Sequence, residues 1–527
     1  MAIRIGAVRV RRGVTNNLHA LTLSAAASLA ILGFLLYRGV QQPGDGNAPR
    51  LFMYCAAGLR YPVEEIVQQY RQRYGVQVEI QYGGSNTLLN QLEVARVGDL
   101  YLCADETYIR QARSKGLVRE VLPIAFQTPV IVVKKGNPKR IAMLDDLLRE
   151  DVTVALGNPD GAAIGKITHD LLTAAGLWEK ISAHVTKRGV FKPTVNEIAN
   201  DVKLGSVDAG IIWDATAAQY PELESIKADA LDPGASLVEV GVLSSARNPS
   251  AAIRFARYVA ASNAGLETFA KHSLRVTNGD LWDENPEITF FAGSVNRRAL
   301  EPIISEFERR EGVRVNTVYN GCGILTAQMR TIQQNQDKTF PDAYMACDVY
   351  YLDNVRELFQ EAVNVSDTDI VIAVQKGNPK GIRELKDLTR AGMRVAVGQP
   401  EQCTIGALTK RLLEHEGLYD TLISGNVVTQ TATSAMLVPA VTTNSADAAL
   451  AYATDTLGEP GRIEVIRLDS ELAKAIQPFS IARSSQHKQL ARRLFEQVAR
   501  SREIFEKSGF HWRLDASGER EVPAEKP

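Results

Sequence analysis

Cysteine is scarce in this chain of 527 residues, which holds only Cys55, Cys103, Cys322, Cys347 and Cys403. Five thiols are too few for a disulfide scaffold, and an odd number leaves at least one unpaired within the chain. None of them forms a Cys-x-x-Cys pair, so the compact zinc or redox motif is missing too. An excess of charge of one sign is also lacking. Sixty Lys and Arg face 61 Asp and Glu, for a formal net charge of -1. No global field draws the body to nucleic acid or to an anionic membrane. Histidine is sparse as well, and His169, His184 and His415 read as helix-surface residues with no partner set.

Long apolar runs are absent with one exception. Arg4, Arg9, Arg11 and Arg12 precede an apolar stretch from Ala20 to Tyr37, which extends to Val40 and gives way to the polar 41–49 segment. That is long enough to span a bilayer, and the basic side should stay inside while the large body is exported. A cleavable signal peptide competes with an uncleaved anchor. No good small-x-small cleavage site follows the run, which favours the anchor. The expected layout is a basic cytoplasmic segment over 1–19, a single membrane pass over 20–40 and a linker over 41–50.

What remains is too long for one hydrophobic core, and it repeats. Tyr82-Gly-Gly-Ser-Asn-Thr-Leu-Leu-Asn-Gln-Leu92 aligns with Tyr319-Asn-Gly-Cys-Gly-Ile-Leu-Thr-Ala-Gln-Met329 at an offset of 237. Val132-Val-Lys-Lys-Gly-Asn-Pro-Lys139 matches Ala373-Val-Gln-Lys-Gly-Asn-Pro-Lys380, and Ser206-Val-Asp-Ala209 matches Ser445-Ala-Asp-Ala448. The offset drifts by only a few residues, as in a domain duplication. Two modules are expected, over 51–285 and 286–515, followed by a tail over 516–527.

Each copy alternates strand and helix patterns. Leu51–Ala56 and Ile288–Ala292 read as strands, Tyr61–Tyr74 and Arg298–Arg310 as amphipathic helices, and Val130–Val133 and Ile370–Val374 as apolar strands. The spacing predicts an α/β fold with a mostly parallel sheet, two lobes per module joined near Thr128-Pro129-Val130, and a ligand cleft between the lobes.

Matched turns supply the candidate ligand contacts. They are Ala57 and Gly58 with Ser294 and Val295; Ser85 and Asn86 with Cys322 and Gly323; and Ala162 with Cys403 and Thr404. Thr194 and Val195 pair with Thr433 and Ser434, and Trp213 with Tyr452. Small residues let backbone approach, and free N–H groups at helix starts receive an oxyanion without a cationic side chain. Each is equally explained as a helix cap, a tight turn or core packing. Gly161 to Thr168 has the spacing Gly-x3-Gly-Lys-x-Thr, which is not a phosphate loop, so nucleotide hydrolysis is rejected. Asp105 and Asp348 recur, but an acid beside a turn caps a helix. No nucleophile, base and orienting group come together, so an enzyme is not expected. Cys322, Cys347 and Cys403 near Tyr452 leave a soft-metal site as a weaker alternative to plain packing or to a disulfide. No cofactor is expected.

This succession of turns resembles the molybdate-binding periplasmic protein family of ABC importers, seen twice, over about 51–285 and 288–510. The resemblance implies two-lobed, type II solute-binding modules that close on molybdate or tungstate through hydroxyls and backbone amides. It places the family's first serine at Ser294, its second at Ser85 and its tyrosine at Tyr452. Gly58, or Ala57 one residue earlier, stands at the first serine position of copy one. Trp213 replaces the tyrosine there, and Cys322 replaces the second serine of copy two. Neither module holds the full set, so one module is a candidate for inactivity. The implied role is extracytoplasmic capture of a small oxyanion for an ABC permease. A receptor for a metal ion or small organic anion is the alternative.

Overall fold

The computed structural model describes residues 50–335, 339–360 and 362–514. The 20–40 membrane segment lies outside them, and no helix among the described residues is long and apolar enough to cross a membrane.

Each module folds into two lobes, A and B. Lobe A of module 1 is a six-stranded sheet ordered β11 (Arg275–Val276), β4 (Val118–Gln127), β10 (Ser236–Leu243), β3 (Leu100–Cys103), β1 (Arg50–Ala56) and β2 (Gln77–Gly83). Lobe B is a five-stranded sheet ordered β7 (Gly189–Lys192), β6 (Val154–Gly157), β8 (Ala209–Trp213), β5 (Pro129–Lys134) and β9 (Leu223–Ile226). In module 2 the order is β13 (Arg314–Asn320), β12 (Glu287–Gly293), β14 (Ala343–Met345), β20 (Lys474–Ile481), β15 (Val363–Gln375), β18 (Ala448–Tyr452), β16 (Val395–Gly398) and β17 (Val427–Thr431). There β19 (Ile463–Arg467) and β21 (His511–Trp512) also pair with β15.

The sheets are mixed, which corrects the expectation of a mostly parallel arrangement. β1, β2 and β3 are parallel, but β10 runs antiparallel to both β3 and β4. β5 likewise runs antiparallel to β8 and β9. The chain enters lobe B through β4 and β5 and returns through β10, so the crossing strands oppose the strand-helix repeats on either side.

The modules differ at that crossing. Pro129 pairs with Trp213 as Ile370 pairs with Tyr452. Pro129 has no N–H to give a ladder, and in module 1 the strand breaks at Thr128. In module 2 β15 continues without interruption, pairing with β20 from Val363 to Asp369 and with β18 from Ile370 onward.

The helices that shape the clefts and the module junction are α1 (Arg60–Tyr74), α2 (Ser85–Ala95), α3 (Ala163–Ala174), α4 (Val195–Leu204), α5 (Pro249–Val259), α6 (Arg297–Glu311), α7 (Cys322–Gln334), α8 (Thr404–His415) and α9 (Lys488–Ala499). Helical spacing puts Val63, Ile66 and Tyr70 on the buried face of α1, and Leu300, Ile303, Ile304 and Phe307 on that of α6. Each fully buried aliphatic side chain stabilises by about 1.5–3 kcal/mol. Both helices end on a glycine with positive φ, Gly75 at 70° and Gly312 at 65°. That is the conformation a helix C-terminus most often needs from the residue after it.

The two modules dock through their A lobes, where α5 packs on α6. Arg310 Nε and Nη2 donate to the two carboxylate oxygens of Glu120 at 2.5 and 2.9 Å. Arg113 pairs with Glu496 at 2.8 Å, and Asp280 accepts from the N–H groups of Gln489 and Leu490, both at 2.9 Å. Inside module 2, Arg493 lies next to this junction in a buried bidentate pair with Glu311 at 2.7 and 3.1 Å.

Candidate functional site

In both modules the turns that follow the strands meet the helix starts of the opposite lobe. The lobes are closed on one another. In module 1 the Thr87 N–H donates to Gly161 O at 3.3 Å, and Asn86 Nδ2 donates to Asp160 O at 2.7 Å. In module 2 the Ile324 N–H donates to Gln402 O at 3.3 Å, and the Tyr351 hydroxyl to Pro400 O at 2.7 Å. Glycine permits this approach. A Cβ on Gly84 would come within 2.4 Å of Gly161 O, and one on Gly321 within 2.4 Å of both Ala432 O and Gln402 O. The predicted contact at Gly323 is of the same kind, its backbone pressed against Glu401 and Gln402.

The cleft of module 1 gathers Ala57, Gly58, Ser85, Ala162, Thr194, Val195 and Trp213 around a small cavity. Of the residues expected there, Asn86 is the exception, since it serves as a tether between the lobes. Strand register settles which residue corresponds to Ser294. Ala56 pairs with Gly83 and Gly293 with Asn320, so Ala57 stands opposite Ser294 and Gly58 opposite Val295. The cavity offers few free polar groups. Ser85 Oγ accepts from the Ala104 N–H at 3.2 Å, and Thr194 caps α4 by accepting from the Glu197 N–H at 3.4 Å. Gly58 has Val195, Thr216 and Trp213 close over it.

Module 2 places different chemistry on the same frame. Thr404, Ser434 and Tyr452 stand where module 1 has Ala163, Val195 and Trp213. All three are buried; among the described residues none of their hydroxyls makes a well-formed hydrogen bond, although Thr404 lies beside the Cys322 and Cys347 thiols and Ser434 beside the Asp455 carboxyl. The short turn beginning at Ser294 packs against the turn beginning at Ser434, across the cleft. Cys322 Sγ repeats the role of the Ser85 hydroxyl and accepts from the Cys347 N–H at 3.1 Å. The thiols of Cys322 and Cys347 lie 2.7 Å apart. Burial acts to raise Cys322, but close polar contacts with Cys347, Tyr344 and Thr404 outweigh it and hold that thiol below its usual range. Burial pushes Cys347 well above it. Gly293 makes room for the pair, because a Cβ there would fall 2.1 Å from Cys347 Sγ. Module 1 has Ala56 and Ala104 at the two corresponding places.

The three-thiol arrangement is corrected. Cys403 turns its thiol away, toward Gln399 O at 3.6 Å and Thr431 O at 3.4 Å. Among the described residues no three His, Cys, Asp or Glu side chains come together to hold a metal ion. All five thiols are free and buried. Asp105 and Asp348 cap helices, accepting from the Thr107 N–H at 3.0 Å and the Tyr350 N–H at 2.9 Å.

One group was missed from the sequence. Asp455 corresponds to Thr216, three residues past the strand-end aromatic. Its Oδ2 is buried without a well-formed hydrogen bond, and burial pushes its carboxyl up to about 6, opposed by the nearby Ser434 hydroxyl. The parallel between Trp213-Asp-Ala-Thr216 and Tyr452-Ala-Thr-Asp455 was the available signal.

The family model described as bacterial extracellular solute-binding protein matches residues 51–275 and 288–511. The molybdate-binding protein ModA of Mycobacterium tuberculosis is 31% identical over 232 residues, covering 42% of this chain and 84% of that one. A putative binding protein of Haemophilus influenzae is 25% identical over 206 residues, covering 39% and 83%. Among solved structures, the periplasmic molybdate-binding protein of Azotobacter vinelandii aligns with 42% of this chain and 98% of its own, at 17% identity and a TM-score of 0.38. With two copies of the matched unit in tandem, the chain belongs to the bacterial extracellular solute-binding protein family.

Proposed function

We propose that module 2 is the working ligand cleft, that it captures a small oxyanion or oxyacid outside the cytoplasmic membrane for delivery to an ABC permease, and that module 1 is a reduced copy. The carrying observation is the set of three buried hydroxyls on Thr404, Ser434 and Tyr452, none of them in a well-formed hydrogen bond. A buried polar group left unpaired costs about 1–3 kcal/mol. Three of them on one wall of a closed cleft is an arrangement that a bound, oxygen-rich solute relieves. Module 1 has Ala163, Val195 and Trp213 at those places and carries no such debt.

The relatives named as molybdate-binding make molybdate the first probe. The N-terminal apolar segment is assigned as the anchor that keeps the modules at the outer membrane face. Calorimetric titration of the full chain in detergent with molybdate, tungstate and sulfate tests the reading. It predicts one site per chain, abolished by substitutions in module 2 and not by those in module 1. Two equal sites would refute the reduced status of module 1. Saturable binding that survives the loss of the module 2 hydroxyls would refute the assignment of the site.

A further inference from the structure

From the paired thiols and lone carboxyl of the module 2 cleft, we infer that its ligand class is a small, neutral, thiol-seeking oxyacid of a trivalent p-block element, of the arsenous acid type. This rests on module 2 being the ligand cleft, and it narrows the chemistry of what enters.

Three observations carry it. The first is the floor of the cleft. Cys322 and Cys347 hold their sulfurs 2.7 Å apart where module 1 has Ser85 and Ala104, and Gly293 leaves space for the second thiol that an alanine would fill. The second is direction. Thr404, on the opposite lobe, interacts with both thiols, so the sulfurs face the closure surface. The third is charge. The groups acting most strongly on Cys322, Cys347, Cys403 and Tyr452 are other thiols, hydroxyls, backbone groups and Asp348, and none is cationic. The wall adds the Asp455 carboxyl, whose Oδ2 is buried, beside Ser434.

A tetrahedral dianion entering this cleft would meet the Asp455 carboxyl and two thiols, which is unfavourable at low dielectric. A neutral hydroxide of a soft element suits the same set, since soft centres select thiolate ligands. The capture step balances without an oxidant. Each thiol sulfur forms one bond to the central atom and one hydroxide leaves with each thiol proton, so As(OH)3 and two RSH give (RS)2AsOH and two H2O. The remaining hydroxyl of the ligand donates to Asp455 or accepts from Thr404, Ser434 or Tyr452. Reopening of the lobes admits water, which reverses the step and releases the solute.

The test uses the full chain in detergent, reduced beforehand with a phosphine that is then removed, and titrated separately with sodium arsenite and sodium molybdate. The expected result is one arsenite per chain with two sulfur neighbours in the arsenic-edge X-ray absorption spectrum. Cys322→Ser and Cys347→Ser should each weaken arsenite binding at least a hundredfold, and Cys103→Ala, in module 1, should leave it unchanged. Gly293→Ala retains all five thiols but displaces the Cys347 sulfur, and should also weaken arsenite binding. If the protein binds molybdate and not arsenite, the inference fails while the oxyanion reading of the cleft stands. Arsenite binding that persists in both serine variants, or a Cys322–Cys347 disulfide in the isolated protein that returns once the reductant is gone, overturns the inference. A folded protein that binds neither solute overturns both.

Discussion

Removing the hydroxyl of Tyr452 separates a group kept for a ligand from one kept for the fold. In the unliganded protein that hydroxyl is fully buried without a partner, so Tyr452→Phe deletes an unpaid desolvation cost and should stabilise module 2 by about 1 kcal/mol. For a domain of this size that is a rise of about 2–4 °C in melting temperature. With ligand bound the sign reverses. Losing a hydrogen bond to a charged or strongly polar group costs about 1.5–3 kcal/mol, equivalent to a dissociation constant weaker by about 10- to 150-fold. Thr404→Val should likewise weaken ligand binding. Ser85 in module 1 is the internal control, because its hydroxyl already accepts from the Ala104 N–H. Ser85→Ala strands that buried donor, so it should lower the melting temperature by a few degrees and leave ligand affinity unchanged. The assay is calorimetric melting of each variant alone and with saturating molybdate or arsenite, alongside a binding isotherm. A Tyr452→Phe protein that melts lower than wild type and binds as tightly would refute the reasoning.

Three further outcomes follow from other parts of the molecule. Gly321→Ala places a Cβ against two carbonyl oxygens of the opposite lobe, so small-angle scattering should show module 2 held open and the isotherm should show lost affinity, although the new methyl touches no ligand. Glu239, on β10, has its carboxyl pushed up to about 8, chiefly by burial and secondly by Glu106. A raised carboxyl favours the folded state while protonated, so its contribution is full below the unfolded value near 4.5 and is lost as pH rises toward 8. Module 1 should lose up to about 5 kcal/mol over that window, and urea melts of Glu239→Gln should show a flatter profile. Glu120→Ala leaves Arg310 without its bidentate partner at the module junction. A cost of about 3 kcal/mol should split a single calorimetric unfolding transition into two.

The duplication, the lobe boundary at Pro129 and most elements were legible in the sequence, because hydrophobic periodicity and recurring turns are local signals. Tyr61–Tyr74 and Arg298–Arg310 came within a residue or so of the observed helices. The return strands β10 and β20 were not legible, since their antiparallel pairing depends on partners more than a hundred residues away. The cleft positions could be located by matching turns, but sequence could not say which way a side chain points. Cys403 sits at the right turn and faces carbonyls, whereas Cys347 faces Cys322. The choice between Ala57 and Gly58 needed strand register, and Asp455 needed the three-residue step past Tyr452 to be followed into the fold.

The docking of lobe A on lobe A sets how the two halves can communicate. The contacts described at the junction fix the two A lobes together, while the B lobes make none of them, so each B lobe is a separate jaw on a shared frame. Opening one jaw need not move the other. A solute entering module 2 would then leave the affinity of module 1 for any partner unaltered unless the frame itself bends, so titrations should fit a Hill coefficient of one. A membrane complex that reads closure would receive one signal from this chain, with the second module contributing a fixed shape.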